Sequence, residues 1–195
     1  EYALLRELLA PLAMPLYLLP GNHDDRDALR AAFPEHAWMA DGPAPFLQYA
    51  IDTHPLRLIA LDTLVPGEGG GTLCGARLDW LDRTLSAAPD RPTVVAMHHP
   101  PFATGIGHMD RLGLADPGPL AAVIRRHPQV ERIMAGHLHR AIDVRFAGTL
   151  AGTCPSPAHQ VALDLAPDAA DRYVMEPPGF RLHHWDGTTL VTHTA

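Results

Sequence analysis

The chain has 195 residues, 47% apolar and 19% charged, and a formal net charge of −7, with arginine as its only strong cation since lysine is absent. That is the length and composition of one globular domain, and its acidic balance leaves no basic face of the kind a non-specific nucleic-acid binder needs. No apolar run approaches the roughly 20 residues that span a bilayer, no charged-then-apolar leader opens the chain, and Cys74 and Cys154 match neither zinc nor disulfide spacing. The sequence therefore reads as a single cytoplasmic domain over 1–195.

In chain order, Leu4, Leu5, Leu8, Leu9 and Leu12 recur on one helical face from Tyr2 to Leu12, and Pro11 and Pro15 stop that helix. A strand-like run, Leu16 to Leu19, then feeds the loop Gly21-Asn22-His23-Asp24. Asp25 to Phe33 predicts a short helix with Asp25 and Asp27 at its positive end. Phe46 to Ile51 and Leu56 to Leu61 predict a hairpin turning at Asp52-Thr53-His54-Pro55, followed by a glycine-rich loop over Val65 to Thr72. Ala76 to Ala87 predicts a helix with Leu78, Leu81 and Leu85 on its apolar face. Thr93 to Met97 is a buried strand opening into His98-His99-Pro100-Pro101, and the Gly- and Pro-rich stretch Phe102 to Gly118 is a candidate lid or substrate wall. Leu120 to His127 predicts a helix. Val130 to Ala135 predicts the strand into Gly136-His137-Leu138-His139. From about 141 the pattern turns to β: Ile142 to Phe146, Val161 to Leu165, Arg172 to Met175, Phe180 to His184 and Leu190 to His193, with Asp186-Gly187 as a hairpin turn. Mixed layers of this kind predict a β-sandwich flanked by helices.

Three histidine-bearing loops, each after a strand, offer the donors of a metal centre. Asn22 supplies a neutral carbonyl oxygen, and His98, His137 and His139 supply imidazoles. On extended backbone, His137 and His139 would project to one side about 7 Å apart at Cα, which suits one imidazole on each of two ions. Gly136 is expected to let the backbone turn there.

The stretches Pro15 to Asp25, Met97 to Pro101 and Gly136 to His139 resemble the calcineurin-like metallophosphoesterases, in the branch of class III cyclic-nucleotide phosphodiesterases and glycerophosphodiesterases. The resemblance extends past His159-Gln160-Val161 to the turn near Phe180. It implies an α+β fold, a four-layer α/β/β/α sandwich, here without its N-terminal strands. It implies two metal ions, of iron, manganese or zinc, in the intact enzyme. Asn22, His98 and His137 would bind one ion and His139 the other; His23 would sit over the substrate phosphate and assist the leaving group; His159 would lie at the substrate end; His99 would stand outside the ligand set. The partner implied is a small phosphodiester, and the β-rich part after 141 is a candidate homo-oligomer interface.

The family pattern also has an Asp-x-His and a Gly-Asp upstream of the first loop, and neither is present there. Asp52-Thr53-His54 follows the first loop and lies in a turn, so it reads as a decoy. All four ligand candidates are neutral, and two dications about 4 Å apart repel strongly without a bridging anion. The chain as given is therefore expected to hold at most one ion, weakly. The alternatives to a phosphodiesterase are a non-catalytic metal-binding or oligomerisation module and a phosphomonoesterase.

Overall fold

The computed structural model describes all residues, Glu1–Ala195. Its centre is a six-stranded mixed sheet built from β1 (Tyr49–Ile51), β2 (Arg57–Leu61), β3 (Thr93–Met97), β4 (Val130–Ala135), β5 (Ile142–Phe146) and β6 (Thr149–Thr153), in the order β1-β2-β3-β4-β6-β5. β2, β3, β4 and β6 run parallel, and β1 and β5 close the two edges antiparallel. The central strands are apolar on both faces, as strands covered on both sides must be. Ile59, Leu61, Val95, Met97, Ile133, Ala135 and Ala151 point to one face. There they meet Leu81 and Leu85 of α3 (Gly75–Ser86) and Leu120, Val123 and Ile124 of α5 (Gly118–Arg125). Each fully buried Leu or Ile there contributes about 1.5–3 kcal/mol.

A second cluster joins α1 (Tyr2–Leu9) and α2 (Arg26–Ala32) to β1, through Leu29, Phe33, Leu47, Tyr49 and Ala60, with Leu5, Leu9, Leu18 and Leu19 packed against it. Asp25 caps α2 by accepting the Ala28 amide at 2.8 Å. The leucine face of α1 is wider than the surface it rests on: Leu5 and Leu9 pack, whereas Leu4 and Leu8 are 58% and 68% exposed.

Leu16 to Leu19 is not a paired strand. Residues 13–20 make no backbone–backbone hydrogen bond; their fixings are side-chain ones, Tyr49 Oη to the Leu18 carbonyl and Tyr17 Oη to His54 Nε2, each at 2.7 Å. An extended run becomes a strand only against a ladder partner, and Pro15 and Pro20 withhold a donor at each end. β6 is a strand the sequence pattern hides. Its Gly152 faces the space filled by the Arg181–Asp143 ion pair, whose two hydrogen bonds are both 2.7 Å, and its turn is a plain Ala147-Gly148 pair with φ of 52° and 98°. Positive φ at both central residues is the hairpin geometry usually signalled by Asn-Gly. The C-terminal part forms two ribbons. One pairs β7 (Gln160–Val161) with β8 (Tyr173–Val174), much shorter than the expected strands; the other pairs β9 (Arg181–Trp185) with β10 (Leu190–Thr194) around Asp186-Gly187. The fold is α+β, and the β9–β10 ribbon lies over the large sheet through the Arg181–Asp143 pair.

One buried pair ties α2 to the sheet. The Asp62 carboxylate, 0% exposed, accepts Arg26 Nε at 2.6 Å and Nη2 at 2.8 Å, together with the amides of Leu47 and Leu64. Arg26→Met strands that carboxylate without a counter-charge, and stability is expected to fall by about 3–5 kcal/mol, with a much smaller loss when Asp62→Leu accompanies it. Denaturant unfolding of the two variants measures this; equal losses would show that the pair does not act as a unit.

Candidate metal centre

β3 and β4 are neighbours in parallel register, Met97 opposite Ala135, so their carboxyl ends deliver the second and third loops side by side. The Gly136 amide donates to the His98 carbonyl at 3.0 Å and locks the two loops together. The first loop is shaped by Asp24, which the sequence reading had not singled out. One carboxylate oxygen accepts the Gly21 amide at 2.7 Å and the other accepts Tyr2 Oη from α1 at 2.6 Å. Its signal was the aspartate three residues after a glycine, a short-range side-chain-to-backbone turn.

The glycines of the two flanking loops make room rather than turns. A Cβ at Gly21 would stand 2.9 Å from His98 Cε1, and one at Gly136 3.3 Å from His98 Nδ1. The unusual backbone falls instead on His137 and His139, with φ of 68° and 54°. This corrects the expectation of an extended His-x-His segment turned at Gly136. Leu138, fully buried against Ile106, Met109 and Val161, anchors the segment between the two histidines, and both of them take left-handed φ beside it.

The structure brings Asn22, His98 and His137 together. His98 Nε2 stands 2.9 Å from Asn22 Oδ1 and 3.2 Å from His137 Nδ1. Donor atoms bound at about 2.1 Å to one tetrahedral or octahedral ion lie roughly 3.0–3.4 Å apart, so each of these two pairs is close to the spacing of adjacent corners of a coordination shell. His137 Nε2 is buried without a hydrogen-bond partner, while Nδ1 faces His98. Burial, reinforced by the other histidines, pushes His98 down to about 3 and His137 down to about 4, and burial also lowers His139. Neutral imidazoles keep a lone pair for a metal.

His99 also lies close, its ligand atoms and those of His98 and His137 all falling within 4.8 Å. Both its nitrogens are already engaged, by Thr63 Oγ1 at 2.8 Å and the Gly69 carbonyl at 3.2 Å, so it has no lone pair to offer. His139 turns to a different neighbour. Its Nδ1 meets the His159 carbonyl at 3.0 Å, its ring lies 4.8 Å from that of His159, and His159 stands edge-on to Tyr173 at 4.6 Å. No hydrogen bond or ring contact joins His139 to the His98–His137 pair. His23 is exposed, yet near enough for its charge to oppose protonation of His98, His137 and His139.

No carboxylate enters the cluster. Asp62, the acid that bears on His99, is occupied by Arg26. Asp52-Thr53-His54 lies at the opposite end of β2, where Asp52 pairs with Arg57 at 2.7 Å and His54 with Tyr17. A cavity of about 600 Å³ between Met14, Tyr17, Trp38 and Asp52 is lined by none of the loop histidines. No helix is long and apolar enough to cross a membrane.

Two adjacent parallel strands bring the His98 and His137 imidazoles, and the unpaired run before Gly21 brings the Asn22 amide, to one point at the carboxyl edge of the sheet, where ligand sites of sheets flanked by helices assemble. The chain belongs to the calcineurin-like phosphoesterase family, whose profile it matches over residues 1–141. It is 38% identical over 197 residues to a probable glycerophosphodiester phosphodiesterase GpdQ of Arcobacter nitrofigilis, covering 100% of this chain and 71% of that protein. It is 32% identical to the 3′,5′-cyclic adenosine monophosphate phosphodiesterase CpdA of Pseudomonas aeruginosa, over 93% of this chain and 62% of that one. A dimetal phosphatase from Danio rerio shares the fold, with a TM-score of 0.61 at 16% identity, over 94% of this chain and 73% of that one. The family implies divalent metal ions.

Proposed function

We propose that the chain carries a neutral-donor metal site and the substrate face of a metal-dependent phosphodiesterase acting on a small diester, a glycerophosphodiester or a cyclic nucleotide. The observation that supports this most is the convergence of Asn22, His98 and His137 from three separate loops. These residues would hold one ion, and His139 would serve a second. When bound, divalent ions acidify a coordinated water and offset charge developing on phosphoryl oxygens. Iron, manganese and zinc all suit an amide and imidazole donor set.

The remaining work falls to the chain's own side chains. His23, exposed and close to His98 and His137, would give a proton to the departing alkoxide. His159, ordered by His139 and Tyr173, forms one end of the substrate surface. The expected wall over Phe102–Gly118 carries α4 (Gly107–Asp110). Asp110 fixes its start by accepting the amides of Thr104 and Gly105, and Ile106 and Met109 pack onto Leu138. The wall is thereby braced against the third loop.

A second reading rests on the missing carboxylate: with neutral donors alone, the 195-residue chain holds a single ion weakly and turns over slowly. Hydrolysis of bis(p-nitrophenyl) phosphate with added Mn²⁺, alongside equilibrium dialysis of the metal, tests both. The first reading expects two ions per chain and diester cleaved faster than p-nitrophenyl phosphate; the second expects at most one weakly held ion and slow turnover. A metal-loaded protein inert to diesters would overturn the phosphodiesterase reading.

A further inference from the structure

The motif His98-His99 contains a second histidine that the proposed function leaves without a role, and its surroundings are unusually complete. His99 and Thr63 are each 0% exposed. A carbonyl only accepts, so the contact with Gly69 places the proton on His99 Nε2. Nδ1 is therefore bare and accepts from the Thr63 hydroxyl. The same hydroxyl oxygen receives the His99 amide at 3.4 Å. The ring stands edge-on to His98 at 4.9 Å and 89°, and tilted against His137 at 4.8 Å and 51°. Over its other side passes the glycine strap 69–71, where a Cβ on Gly71 would overlap the His99 ring. The strap is itself hydrogen-bonded into the wall, Gly71 amide to Gly113 carbonyl at 3.1 Å and Ala115 amide to Gly71 carbonyl at 2.8 Å.

The geometry points to His99 as a positioning residue of the metal centre: held in one tautomer by Thr63 and Gly69, it wedges the His98 and His137 rings into ligating orientation and is not itself a ligand. The inference rests on the metal-centre reading but not on turnover. Two independent contacts lock the wedge. Rotation of His99 would break both hydrogen bonds and run into the strap. Gly71 is explained by the same arrangement, since only a residue without a side chain can pass this close to the ring.

The test compares wild type with Thr63→Val and His99→Phe by Zn²⁺ titration calorimetry, together with ¹⁵N spectra of the His99 ring with and without Zn²⁺. Loss of an outer-shell support typically costs about 10- to 100-fold in metal affinity. Thr63→Val removes one hydroxyl from an intact ring and is expected to weaken Zn²⁺ binding about tenfold, His99→Phe at least as much, with the wild-type His99 in its Nε2–H tautomer in both states. Should His99→Phe fail to fold, Thr63→Val and the spectra decide alone. A His99 nitrogen that shifts as a directly bound donor on Zn²⁺ addition would overturn the inference, as would Zn²⁺ binding by Thr63→Val that is unchanged or tighter. If Zn²⁺ affinity responds as expected while the wild type leaves diesters intact, the phosphodiesterase reading fails and this one stands.

Discussion

His98→Ala is expected to lower the affinity for Zn²⁺ or Mn²⁺ by about a hundredfold or more, close to 3 kcal/mol of binding free energy. The size follows from its place in the cluster. His98 Nε2 is the donor that touches both others, Asn22 Oδ1 at 2.9 Å and His137 Nδ1 at 3.2 Å. Without it the amide and the remaining imidazole have no common neighbour, and a two-donor site competes poorly with water. His54→Ala is the matched control, because His54 belongs to the misplaced Asp-x-His segment and bonds Tyr17 at the far end of the sheet. Calorimetric titration of folded protein, checked by circular dichroism, separates metal loss from unfolding. Equal affinities for His98→Ala and His54→Ala would remove His98 from the centre.

His23→Ala is expected to act on rate and leave the metal in place. Its side chain is exposed and makes no hydrogen bond to Asn22, His98 or His137, so ligand geometry survives its removal. A positioned proton donor contributes about 10²- to 10⁴-fold, and kcat for a diester with an alkoxide leaving group, such as a glycerophosphodiester, should fall within that range while bound metal, by atomic absorption, stays near wild type. A diester with a better leaving group needs less protonation, so the deficit should shrink as the leaving-group pKa drops. Parallel loss of metal and rate would instead make His23 a ligand.

The two outcomes draw on features of unequal visibility in the sequence. The strands leading to His98 and His137 were legible because Thr93–Met97 and Val130–Ala135 are short apolar runs ending at motif residues. β6 was not: Gly152 keeps no side chain because an ion pair from elsewhere in the chain fills its space, a tertiary fact without local trace. Leu16 to Leu19 shows the reverse failure, a run of strand-forming residues for which the fold supplies no ladder. At the site, residue types and loop order were readable, but the left-handed φ at His137 and His139 was not, because it follows from packing around Leu138. Thr63 has no local signal either, because its partner His99 is 36 residues away, and of the two contacts of Asp24 only the one to Gly21 is local, Tyr2 lying 22 residues off.

The unladdered stretch before Gly21 has a bearing on how the centre comes together. Two of its three converging donors hang from the middle of a parallel sheet and are as fixed as that sheet. The third hangs from residues 13–20, moored by phenolic hydroxyls and a carboxylate. Local opening costs least where sheet bonds are fewest. The imidazoles thus form a standing anvil, and the Asn22 amide is the jaw that closes on it. An ion at the proposed site would be expected to meet the histidines first and Asn22 last, so its tightness of grip would depend on how firmly the Tyr2–Asp24 mooring holds that jaw shut.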